Sequence, residues 1–66
     1  MAIRLQEIRE EKHLSQTELS RRAGVHRTMI NRYEHGKSNP SLAAAKKIAA
    51  ALEVPIGDLL EERGTA

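Results

Sequence analysis

Apolar residues recur along this chain at spacings of three and four, and no stretch alternates strictly between apolar and polar. That is the periodicity of helices with one buried side, not of strands. Short turn signals divide the pattern into about five segments. In the first, from about Ile3 to Lys12, the residues Leu5, Ile8, Arg9 and Lys12 share one face. The apolar stripe is thin and Arg9 sits within it. His13 follows as the expected turn residue; glycine suits a left-handed turn better, but His tolerates positive φ more readily than most. The second segment opens at Ser15. Ser15-Gln16-Thr17-Glu18 has the form of a capping box, in which the Ser hydroxyl and the Glu carboxylate exchange bonds with each other's backbone N–H groups. Leu19 and Ala23 face inward, and Gly24 ends the helix because the chain must turn there.

The third segment spans roughly His26 to Glu34. A helical wheel places Met29, Ile30 and Tyr33 on one side and Arg27, Thr28, Asn31 and Arg32 on the other. Gly36 closes it. Lys37-Ser38-Asn39-Pro40-Ser41 reads as a loop, with Asn39 or Ser41 as the next N-cap and Pro40 tolerated at a helix start. The fourth segment, about Ser41 to Leu52, carries Leu42, Ala45, Ile48, Ala49 and Leu52 on an arc wide enough to face a core. Its alanines favour helix and permit close approach. A short fifth helix follows Pro55, with Ile56, Leu59 and Leu60 inward and Gly57 weakening it. Five short helices predict an all-α bundle.

Composition narrows what such a bundle does. Sixty-six residues are expected to form a single domain, 1–66, near the lower end of what folds alone. That leaves little room for an enclosed substrate pocket. There is no Cys, hence no disulfide and no thiolate metal site. His13, His26 and His35 fit no compact ligand spacing, so no metal and no cofactor are expected. Ser15, Ser20 and Ser41 are explained as caps or surface residues, and no nucleophile has a base beside it; an enzyme is not expected. Tyr33 is the sole aromatic, too few for a single-strand stacking platform. The apolar runs are too short to span a membrane and Met1 to Leu5 do not form a signal peptide, so a cytoplasmic location is expected.

The net charge of +2 says little; its distribution says more. From Arg21 to Lys37 five cations (Arg21, Arg22, Arg27, Arg32, Lys37) oppose the single anion Glu34, making that segment +4 and the remainder −2. The tail is acidic, with Asp58, Glu61 and Glu62. A basic middle beside an acidic end points to one surface meeting a polyanion, although solvated charge explains the same numbers. The more informative unit is Gln16 to Glu34, two helices joined by a short Gly-containing turn. Such a turn sets the second helix at a steep angle to the first. An α-helix fits the major groove of B-DNA, and the exposed side of this one carries base-reading chemistry. Arg pairs bidentately with guanine, Asn pairs with adenine, and Thr packs on a thymine methyl. The bland alternative is a polar face that happens to hold two arginines.

At this point the wording of the sequence adds its own testimony. Leu14-Ser15-Gln16-Thr17-Glu18-Leu19-Ser20 through Ala23-Gly24-Val25, then Ile30-Asn31-Arg32-Tyr33-Glu34-His35-Gly36-Lys37, then Asn39-Pro40-Ser41-Leu42, closely resembles the Cro/C1-type, lambda-repressor-like helix-turn-helix family. The resemblance covers about residues 3–61. It implies five helices, the second and third forming the helix-turn-helix, and sequence-specific binding of double-stranded DNA by a transcriptional regulator, a repressor above all. It implies base contacts from Gln16, Arg27, Thr28, Asn31 and Arg32. It implies backbone contacts from Ser15 and Thr17 at the start of the second helix, where free N–H groups attract a phosphate, and from His35, Lys37 and Asn39. It implies a half-buried ion pair between Arg9 and Glu34, which both border apolar stripes.

The sequence departs from the family pattern at His26, where Ser or Thr usually caps the third helix, at His13 in place of glycine, and at Pro55 in place of a capping Ser. Met29 stands where a small polar residue is commoner and is expected at the edge of the core. Because one helix reads only a few base pairs, a homodimer on a palindromic operator is expected, its recognition helices about 34 Å apart. Its contact is expected in the Val54, Ile56, Leu59 and Leu60 region. No small-molecule ligand is expected. The competing expectation is a protein-interaction helix-turn-helix, of the antitoxin or coactivator kind, in which the exposed arginines are dispensable.

Overall fold

Two of the helices begin at a serine whose side chain supplies a missing backbone bond. The computed structural model describes residues 3–60, so Glu61 and Glu62 of the acidic tail lie outside the described residues. Five helices follow in order: α1 (Leu5–Glu11), α2 (Gln16–Ala23), α3 (Arg27–Glu34), α4 (Leu42–Leu52) and α5 (Ile56–Leu60). The fold is all-α, as the periodicity predicts.

The start of α2 is the best-secured boundary. Ser15 Oγ accepts from Glu18 N at 3.0 Å, and Ser15 N donates to Glu18 Oε1 at 3.0 Å. Both halves of the capping box are therefore made. Ser41, not Asn39, caps α4, its hydroxyl accepting from Ala44 N at 3.1 Å. His26 precedes α3 without a side-chain cap, as its ring cannot replace the short Ser or Thr hydroxyl. The turns use the left-handed region at Gly24 (φ 69°) and Gly36 (φ 71°), where glycine is free of the Cβ penalty. Two side-chain-bearing residues also occupy it: His13 and Glu53, each with φ 59°. His13 is the turn the sequence predicts. Glu53 ends α4 without any glycine to announce it.

The core lies where these helices meet. Ile3, Leu5, Ile8, Leu19, Ala23, Ile30, Tyr33, Ala45, Ile48, Ala49, Leu52 and Leu59 form one buried cluster. α2 packs against α3 and α4, α4 against α5, and α1 across α3 and α5. The backbone closes the ring as well, since Arg4 N donates to Leu59 O at 3.2 Å. Met29 packs half-buried at the edge, together with Leu14, Val25, Val54 and Ile56. Ala45 and Ala49 let α4 sit close to its neighbours.

Three expectations need correction. Leu42 is 63% exposed, not part of the core stripe. It is the first residue of α4, and helical side chains lean back toward the N-terminus, so it projects past the end of the helix. Leu60 is 43% exposed, so α5 turns only one of its two leucines inward. Conversely Leu59 is fully buried, and it cannot belong to a dimer surface as the Val54, Ile56, Leu59 and Leu60 grouping requires.

Candidate nucleic-acid interface

The rear of α3 fixes its front. Ile30, Tyr33 and Glu34 are buried on one side, whereas Arg27, Thr28, Asn31 and Arg32 are all exposed on the other. The helix is thus bolted to the body along one edge and presents four polar side chains along the opposite one. The turn before it needs a left-handed residue for conformation and not for space: a Cβ on Gly24 would meet nothing within 4 Å.

Beneath that helix lies a polar anchor. Glu34 is only 3% exposed, and its carboxylate accepts three hydrogen bonds. Arg9 Nε donates to Oε2 at 2.6 Å, Arg9 Nη2 donates to Oε1 at 3.3 Å, and Gln16 Nε2 donates to Oε1 at 2.9 Å. Arg9 Nη1 also donates to Leu14 O at 2.7 Å. The Glu34 carboxylate therefore ties α1, α2 and α3 together, and Arg9 extends the link to the α1–α2 turn. The bond to Glu34, with that charge beside it, raises the Arg9 pKa further above an already high ordinary value, so Arg9 is charged at any working pH. Among the described residues no buried side-chain polar atom lacks a partner.

Gln16 stands at the first residue of α2, half-buried, with its amide nitrogen committed to Glu34. A carboxylate only accepts, so the nitrogen of the amide must face inward and its oxygen outward. Ser15 and Thr17 flank it on the exposed surface, Ser15 with its hydroxyl in the cap. At the far end of α3, His35 Nδ1 donates to Asn31 O at 2.8 Å, which leaves Nε2 directed elsewhere. Lys37 and Asn39 are exposed on the loop that follows. Arg32 is not wholly at liberty. Its Nε donates to Ser38 Oγ at 3.0 Å, a contact six residues apart through a loop, for which no sequence rule exists.

Burial sharpens the electrostatics read from the sequence. Arg21, Arg22, Arg27, Arg32 and Lys37 are all exposed, while Glu34, the one anion of that stretch, is buried against Arg9. From Arg21 to Lys37 the outer surface therefore carries cations and no carboxylate. Among the described residues no cluster of His, Cys, Asp or Glu is placed to hold a metal ion. Among them, too, no helix is long and apolar enough to cross a membrane.

A capped helix and a second helix joined to it at a left-handed glycine, the second with a buried rear and a cationic front, define a helix-turn-helix module. A helix-turn-helix family model matches residues 5–59, and the chain belongs to the Cro/C1-type helix-turn-helix family, whose members are DNA-binding transcriptional regulators and not enzymes. An uncharacterized HTH-type transcriptional regulator of Archaeoglobus fulgidus is 42% identical over 59 residues, covering 89% of this chain and 83% of that protein. The HTH-type transcriptional regulator SinR of Bacillus subtilis is 34% identical over 61 residues; the match spans 91% of this chain but only 55% of SinR. Among solved structures, the N-terminal DNA-binding domain of SinR superposes with a TM-score of 0.84 at 33% identity, covering 94% of this chain and 91% of that one. The restriction-modification controller protein C.AhdI of Aeromonas hydrophila superposes with a TM-score of 0.82 at 38% identity, covering 85% of each chain.

Proposed function

We propose that this regulator is a repressor that binds a palindromic operator as a homodimer, with α3 in the major groove. The observation that carries the reading is the exposure of Arg27, Thr28, Asn31 and Arg32 together on one face of α3, above a fully buried rear. These side chains match the hydrogen-bonding edges of guanine and adenine and the thymine methyl. Gln16 presents its amide oxygen from the start of α2, an acceptor for a base amino group. Ser15 and Thr17 expose the N-terminus of α2 to one phosphate, and His35, Lys37 and Asn39 line the backbone beyond α3. Two-fold pairing supplies the specificity that a single short helix lacks. Val54, Ile56 and Leu60 offer the contact: the first two are half-buried and Leu60 is exposed beside them.

The test is selection of the whole chain against a random duplex library at about 150 mM salt, where non-specific attraction is weak. An enriched palindrome supports the reading and yields the half-site spacing. A short unpaired motif retains sequence-specific binding and removes the symmetric dimer. No enrichment overturns the reading and turns attention to a protein partner.

A further inference from the structure

The loop after α3 is folded back onto the helix it leaves. Gly36 N donates to Tyr33 O at 3.2 Å and Lys37 N donates to Arg32 O at 2.9 Å. With Gly36 in the left-handed region, Ser38, two residues further on, returns beside the last turn of α3 and is half-buried there. Its Oγ accepts from Arg32 Nε at 3.0 Å. Arg32 is thus held twice by the same loop, once through its carbonyl and once through its side chain.

The atom used is what matters. A guanidinium has one N–H on Nε and two on each Nη, arranged in a planar fork. It can meet a pair of acceptors through the side edge, Nε with one Nη, or through the end, Nη1 with Nη2. The bond to Ser38 occupies Nε and so closes the side edge. The two terminal nitrogens remain, held in one plane by a residue that is itself seated in a bonded loop. Guanine offers O6 and N7 as paired acceptors in the major groove.

We propose that Ser38 is a specificity-determining positioning residue: it orients the Arg32 guanidinium so that Nη1 and Nη2 together read one guanine per half-site. This rests on the placement of α3 in the major groove given above. Ser38 touches no base itself. It restricts a long side chain before DNA arrives, so that less freedom is lost on binding. A phosphate would also accept two bonds from the same edge, but it would not distinguish one base from another.

Three variants of the full chain test this: Arg32→Ala, Ser38→Ala and Ser38→Thr. Each is carried through the duplex selection and through thermal unfolding. Arg32→Ala is expected to abolish guanine preference at one position of each half-site. Ser38→Ala is expected to weaken that preference roughly two- to tenfold, the range for freeing one rotamer-rich side chain. Other positions and the melting temperature should not change, and Ser38→Thr, which keeps the hydroxyl, should restore the preference. If Arg32→Ala abolishes the preference and Ser38→Ala leaves it intact, the positioning role is wrong and the groove placement stands. If Ser38→Ala instead lowers the melting temperature and affinity for all sequences alike, Ser38 merely supports the loop and the proposal falls. If Arg32→Ala weakens every sequence equally and flattens the salt dependence, Arg32 grips phosphate, and its base-reading role and the proposal fall together. If the unaltered chain enriches no sequence, the functional reading itself fails and takes this inference with it.

Discussion

Replacing Glu34 by Ala removes the acceptor that holds three donors from two other helices. Arg9 keeps its bond to Leu14 O, but its side chain is only 12% exposed and has lost its counter-charge. Gln16 loses its inward partner at the same time. Breaking a buried pair by removing one member costs ~3–5 kcal/mol, because the survivor stays desolvated and uncompensated. Since Arg9 retains some water access, the lower figure applies, ~3 kcal/mol. A domain of this size has only ~3–10 kcal/mol in total. At ~4–8 °C per kcal/mol for a small domain, the melting temperature should fall by ~12 °C or more. Circular dichroism at 222 nm, followed through thermal and urea unfolding, reads this directly. The companion variant Arg9→Met with Glu34→Leu removes both charges and fills the same space, and it should recover most of the loss. An unchanged melting temperature in Glu34→Ala would refute the reasoning. So would a double variant as unstable as the single one, since the deficit would then come from lost shape and not from a stranded charge.

Further outcomes are expected at the caps, the recognition face and α5. Ser15→Ala should cost ~1 kcal/mol through the lost cap. The Ser15 N–H bond, then its hydroxyl, hold the Glu18 carboxyl below its ordinary value. That contribution is therefore full above the usual carboxylate range and lost as pH falls through the depressed one; Glu18→Gln should flatten the acid limb of a stability–pH curve. Glu53→Gly should stabilise by ~1 kcal/mol, since a side-chain-bearing residue there holds φ at 59°; an unchanged urea midpoint would remove the strain argument. Arg27→Ala should cost ~1–3 kcal/mol of operator binding and relax one base position, whereas Lys37→Ala should weaken all sequences and reduce the salt slope by about one, both measured by titration at several ionic strengths. Leu60→Glu should shift sedimentation toward monomer with little change in monomer stability, while Leu59→Ala, made in the core, should cost ~2–5 kcal/mol.

Much of this was readable along the chain because local rules decide it. Ser15 with Glu18, Gly24, and the split between Ile30 and Tyr33 on one side of α3 and Arg27 and Asn31 on the other are matters of neighbours within a turn or two. What escaped depends on relations outside a helical wheel. The wheel puts Leu42 on the same stripe as Ala45 and Ala49, but Leu42 sits at the end of its helix, where no facing element covers it. Leu59 and Leu60 are adjacent, and only the packing of α1 and α4 on α5 decides which is covered. Glu53 adopts a backbone that residue type does not announce. The amide of Gln16 is oriented by a carboxylate 18 residues away, and Arg32 is oriented by a hydroxyl across a loop.

The division of labour within α3 also bears on how such a regulator diverges. Stability is vested in Ile30, Tyr33 and Glu34, and the DNA-reading chemistry we propose in their exposed neighbours at Arg27, Thr28, Asn31 and Arg32. Exchanges at exposed positions away from special features usually alter stability by no more than ~0.5 kcal/mol. A duplicated copy of this gene could therefore acquire a new address on the chromosome through two or three changes, without passing through an unfolded ancestor. Arg32 is the position least free to drift alone, because a new residue there leaves the Ser38 hydroxyl without its partner.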